Sequence, residues 1–175
     1  MFSSQRLKKR YAGLLNDETL DIVGLEFARG DWTTVAKNVQ EGALKIILKD
    51  KSPEKAAAYV RDQISLLRAG KVPLPELIIW KTLTKNPAEY AVKAAHIEAA
   101  KRLMEKGWKA SVGDKVGYVV TRGEGKLYER AVPYVFASIK DIDLRYYEEQ
   151  QILPSTLRIL SMFNITEKEL QPADN

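Results

Sequence analysis

The densest charge in the chain lies at Lys8-Lys9-Arg10, closing on Tyr11 and followed by Ala12-Gly13-Leu14. Four of the five residues from Arg6 to Arg10 are basic. Packed cations repel one another, and phosphate is the commonest ligand that offsets the repulsion. Tyr11 adds a flat apolar ring with a polar tip. The chemistry on offer is electrostatic binding of a nucleic acid. The competing reading is a solvated N-terminal face, because short basic runs carry no groove-reading signature by themselves.

Elsewhere the reactive residue types are sparse. One histidine, no cysteine and no clustered acidic motif leave no nucleophile–base pair and no metal site by the usual ligand rules. No catalytic residue is therefore expected here. His96 falls in the first turns of a helix, where a partly buried, hydrogen-bonded imidazole is a commoner outcome than a general base. Glu148-Glu149 would project about 100° apart on a helix, which favours a solvated face over a shared site. Gly123-Glu124-Gly125 lacks the third glycine of a dinucleotide loop, and no P-loop lysine–threonine pair follows a glycine run. Thr84-Lys85 puts a hydroxyl and a cation beside the Asn86-Pro87 turn, either for a phosphate or as plain loop polarity. Tyr146-Tyr147 offers a ring for stacking, with one of the pair expected in the core.

The body that must carry these residues is 175 residues long, 45% hydrophobic and 29% charged, a globular balance with room for a sizeable core. The net charge of +5 favours an anionic partner. No apolar run reaches the about 20 residues of a spanning helix, so neither a membrane segment nor a secretory signal is expected. The absence of cysteine rules out disulfides and fits a cytoplasmic location.

Periodicity predicts a mainly α-helical α+β fold. Tyr11–Leu15 and Leu20–Leu25 read as a hairpin turned by Asn16-Asp17. A lone hairpin is marginal in water, so this one needs a sheet that the neighbouring sequence does not provide. A helix is predicted from about Trp32 to Lys49 with Asp31 as N-cap, and a second from Ser52-Pro53 to Ala69-Gly70, packed against the first. Leu77–Trp80 is a strand or a buried helical turn. A third helix spans about Lys93 to Lys106, with Met104 inward and Gly107 as its stop. Val116–Thr121 and a weaker strand near Leu127–Val132 form an inserted hairpin. Helix resumes at Asp143, restarts at Pro154 and ends in a short turn capped by Thr166.

The order of these features resembles the C-terminal part of family B DNA polymerases. Lys8-Lys9-Arg10-Tyr11-Ala12-Gly13 is similar to the KKRY motif at the end of the palm domain. The series continues through Gly24-Leu25-Glu26, Asp31-Trp32, Thr84-Lys85 with Tyr90, and His96 to Leu103. It closes with Gly113-Asp114-Lys115-Val116, Tyr118, Asp143, Tyr146-Tyr147, Gln151, Leu153-Pro154 and Arg158-Ile159-Leu160.

The resemblance implies that residues 1–30 complete a palm sheet and that residues 31–175 form the thumb, which grips primer–template duplex DNA. Lys9 and Tyr11 would hold the primer end, with Lys8, Arg10, Thr84, Lys85, His96 and Lys115 as further DNA contacts. It places the catalytic aspartates and their magnesium on another polypeptide, leaving no cofactor to this chain. Opening on Met1, the chain is either an excised piece of a longer polymerase or, as favoured here, a natural subunit that resembles the small subunit of archaeal B polymerases encoded as two polypeptides, with a large catalytic subunit as the expected partner. A stand-alone, non-specific DNA-binding protein derived from a thumb is the alternative. The tail from Thr166 lacks the glutamine, aliphatic and two aromatics of a clamp-binding peptide, which argues against direct sliding-clamp binding there.

Overall fold

The computed structural model describes residues 32–174. The hairpin expected over Tyr11–Leu15 and Leu20–Leu25, the Lys8–Tyr11 run and Asp31 lie outside the described residues. In chain order come α1 (Thr34–Asp50), α2 (Pro53–Arg68), β1 (Ile79–Thr82), α3 (Ala95–Glu105), β2 (Lys115–Val120), α4 (Leu127–Arg130), β3 (Ala131–Pro133), α5 (Leu144–Tyr147), a π-helical stretch Glu148–Ile152, α6 (Leu153–Leu160) and α7 (Glu167–Leu170). The described residues form two compact units, one from those up to Ala69 together with those from Glu148 onward, the other from Gly70–Tyr147.

In the first unit α1 buries Val35, Ala36, Val39, Ala43, Leu44 and Ile47, the stripe that spacings of three and four produce. Its cap is Thr33 and not Asp31. The Thr33 hydroxyl accepts from the Ala36 N–H, while its own N–H and hydroxyl donate to Gln151 Oε1 at 2.9 and 3.0 Å. A tertiary partner thus favours one of two adequate capping residues. Lys51 turns left-handed at φ 51°, Ser52 caps the next helix, and this two-residue link folds α2 onto α1. Gly42 lies beneath the Tyr59 ring, where a Cβ would collide. Pro154 has no N–H and would crowd the carbonyl four residues back, which accounts for the wider π turn immediately before it. Glu148, expected on a solvated face, is only 4% exposed. The Arg68 guanidinium reaches it in a two-pronged ion pair at 2.6 and 2.9 Å, with the Gln171 amide donating at 3.2 Å, whereas Glu149 is exposed.

The second unit holds an antiparallel sheet in the order β1-β2-β3, with Ile79 paired to Tyr118, Thr82 to Lys115 and Val120 to Ala131. The expected hairpin is therefore joined by a third strand built from the ambiguous run around Trp80. The weaker strand is shorter than expected, because Leu127–Arg130 winds into one helical turn. The Glu129 carboxylate accepts from the Lys126 N–H at 2.9 Å, and the Arg102 guanidinium on α3 donates to the carbonyls of Tyr128, Glu129 and Ala131. Those bonds take up carbonyls that a strand would have offered to a neighbour. Met104, expected inward, is exposed near the end of α3. Beyond the β1 pairing at Tyr118, the fully buried Tyr147 fills the gap: its hydroxyl accepts from the Val120 N–H at 3.1 Å. Burial pushes this phenol well above its usual range.

Candidate nucleic-acid interface

Four of the expected contact residues, Thr84, Lys85, His96 and Lys115, belong to the second unit. Lys8, Lys9, Arg10 and Tyr11 lie outside the described residues. Thr84 and Lys85 follow β1 in an exposed loop whose conformation Tyr90 fixes. The Tyr90 hydroxyl accepts from the backbone N–H of Thr84 at 2.9 Å and of Lys85 at 3.0 Å, and lies 3.1 Å from the Thr84 hydroxyl. These bonds, the Thr84 hydroxyl's first, hold the Tyr90 phenol below its ordinary pKa. Asn86 caps the following 3₁₀ turn, Pro87–Glu89, which returns the chain to Tyr90.

On its other side the Tyr90 ring meets His96 edge-on, with centroids 6.2 Å apart. Partial burial, and next the positive charge of Lys81, hold the His96 imidazole below its usual pKa, so near neutrality it is uncharged. Thr84, Lys85 and His96 thus gather around one tyrosine, with the charge of Lys81 acting on His96. Two backbone amides are already fixed, which leaves the exposed Lys85 side chain to carry the charge. Such a surface suits phosphates and reads no bases.

Lys115 is placed differently. It pairs with Thr82, and strand alternation sets Trp80, Thr82, Lys115 and Gly117 on one face of the sheet, with Lys81 and Val116 on the other. Lys115 therefore shares the face of Trp80. Tyr146 and Tyr147 are settled by packing: Tyr147 is structural, and Tyr146 meets it edge-on at 5.3 Å.

Sequence reading missed Trp80, Lys81, Trp108 and Lys109 as surface candidates, although the adjacent pairs Trp80-Lys81 and Trp108-Lys109 interleave aromatic with basic residues. Their exposure was the absent information. Among the described residues no group of three or more histidine, aspartate or glutamate side chains gathers to hold a metal ion. Nor, among them, is any helix long and apolar enough to cross a membrane.

Comparison with known proteins bears on this surface. The model of DNA polymerase family B matches residues 6–163. The chain is 46% identical to DNA polymerase 2 of Aeropyrum pernix over 94% of its own length and 20% of that protein's. It is 42% identical to the DNA polymerase of Archaeoglobus fulgidus, again over 94% of this chain, and spans 23% of that relative. The solved family B DNA polymerase of Pyrobaculum calidifontis superimposes on 74% of this chain and 18% of its own, at 44% identity and a TM-score of 0.68. The chain thus spans about a fifth of the length of these relatives. With the family model covering most of its residues and identities above 40% across nearly all of them, the chain belongs to DNA polymerase family B.

Proposed function

We propose that this chain is the small, non-catalytic, thumb-carrying subunit of a B-family DNA-directed DNA polymerase, working in cytoplasmic DNA replication. It grips primer–template duplex and assembles with a large catalytic polypeptide. The observation that carries the reading is the group around Tyr90, where a hydroxyl and an exposed lysine stand on a loop held by two backbone hydrogen bonds, beside an uncharged imidazole on α3. A surface pre-ordered in this way binds a regular phosphate backbone with little further loss of conformational entropy.

In this reading residues 1–30 end the palm and residues 31–175 are the thumb. Lys9 and Tyr11 attend the primer terminus, Lys8 and Arg10 its backbone, and Thr84, Lys85 and His96 the duplex behind it. Phosphoryl transfer, and the magnesium it requires, belong to the large polypeptide. The role of this chain is to hold the duplex in position while the reaction proceeds.

Primer extension on a recessed template tests the proposal with this chain alone, a large family B chain alone, and the two mixed. Extension chiefly in the mixture is the expected result. Equal extension by the large chain without this one would point to a stand-alone DNA-binding protein.

A further inference from the structure

The second unit carries an aromatic groove apart from the Tyr90 group. It encloses about 260 Å³ between Trp80, Leu103, Trp108 and Tyr134, and Lys109 and Lys115 also line it. Trp80 and Trp108 are about half exposed, at 49% and 52%. Their rings are held without being covered. Trp80 lies over Gly117, where a Cβ would come within 2.8 Å of the ring, and meets Tyr134 at 5.4 Å and a tilt of 58°. Trp108 meets Phe136 edge-on, at 6.4 Å and 82°. Among the described residues neither tryptophan is stacked in parallel on another ring, and π surface stays open in both pairs.

We propose that this groove is a stacking subsite for the unpaired bases of single-stranded nucleic acid. Its volume admits a flat base, the tryptophans offer ring faces, and the two lysines stand ready for the flanking phosphates. The acidic residue in the lining, Asp114, is engaged in its own loop: the Ser111 N–H and hydroxyl donate to its carboxylate at 2.9 and 3.1 Å. An apolar protein partner fits less well, because protein interfaces deplete lysine and this groove carries two. Lys115 joins the groove to the proposed duplex surface, being an expected DNA contact that lines it. The inference rests on the reading of this chain as a DNA-binding subunit.

The test is a titration of the full chain with labelled oligo(dT) and, separately, with a blunt duplex. Trp108→Ala should weaken oligo(dT) binding at least about fivefold and leave duplex binding unchanged. Trp108→Phe should restore most of the loss, and Lys85→Ala should weaken the duplex alone. Tryptophan-dependent oligo(dT) binding by a chain that ignores duplex would sustain the subsite and remove the duplex grip. Oligo(dT) affinity unchanged by Trp108→Ala would overturn the proposal. So would loss, in that variant, of association with a large polymerase chain while oligo(dT) still binds.

Discussion

The polar residues that distinguish the two units stand in different surroundings. In the first, Thr33 is tied to Gln151, Gln40 donates to the Ser155 carbonyl at 2.7 Å, and Arg68 clasps Glu148, all between segments more than 75 residues apart in sequence. Polar groups there hold helices to one another. In the second, Lys85, Lys109 and Lys115 are exposed, and exposed aromatics stand among them. A buried polar group left without a partner costs stability, whereas an exposed lysine costs almost nothing until an anion arrives. One region thus fixes a scaffold and the other keeps charge available for a ligand.

Breaking that contrast most severely means cutting the Arg68–Glu148 pair. Arg68→Ala would take the guanidinium from the buried Glu148 carboxylate, and about 3 kcal/mol of stability should be lost. Chemical denaturation measures it, with duplex affinity unchanged once the chain is folded. A loss well under 1 kcal/mol would show that water replaces the guanidinium at this partly exposed side chain.

Tyr147→Phe tests whether the second unit also has an interior of its own. Removing the hydroxyl leaves the Val120 N–H buried without its acceptor, at a cost of about 1–2 kcal/mol. Exchange of the Val120 amide, followed by NMR, reads this directly: it should quicken in the variant.

Lys85→Ala should leave stability within about 0.5 kcal/mol of the parent, as surface substitutions do. Its effect belongs to binding. The slope of log duplex affinity against log salt should fall by about one, the signature of one lost phosphate contact. An unchanged slope would take Lys85 out of the interface.

The smallest effect is that of His96. Its folded pKa lies below the unfolded value near 6.5, through burial and then Lys81, so the folded state resists protonation. Its contribution to stability is fully present above about pH 6.5 and is lost as the pH falls through the lower folded pKa. His96→Gln should flatten the stability profile between about pH 7 and 5 relative to the parent, as melting temperatures across that range would reveal.

Much of the fold is written in local chemistry. Ser52-Pro53 starts α2 and Gly70, at φ 72°, follows its end, Asp143 caps α5 by accepting from the Tyr146 N–H, and the stripes of α1 and α2 are buried as their spacing demands. The Thr84-Lys85 loop was legible as a polar loop before a proline turn. Its gathering with His96 was not, because that depends on Tyr90 bonding backward over five and six residues.

By itself the sequence determined the long helices and their approximate ends, and that no thiol chemistry occurs, since capping and periodicity act within a few residues. Only the tertiary structure decided that Thr33 would cap α1, that Leu127–Arg130 would coil instead of pairing, and that Glu148 would be buried while Trp80 and Trp108 stayed exposed. In each case the deciding partner, Gln151 for Thr33, Arg102 for Leu127–Arg130, Arg68 for Glu148, Gly117 for Trp80 and Phe136 for Trp108, lies far along the chain from the residue it governs. Contacts of that range leave no trace in local propensity, because the free energy that selects them arises only when distant side chains meet.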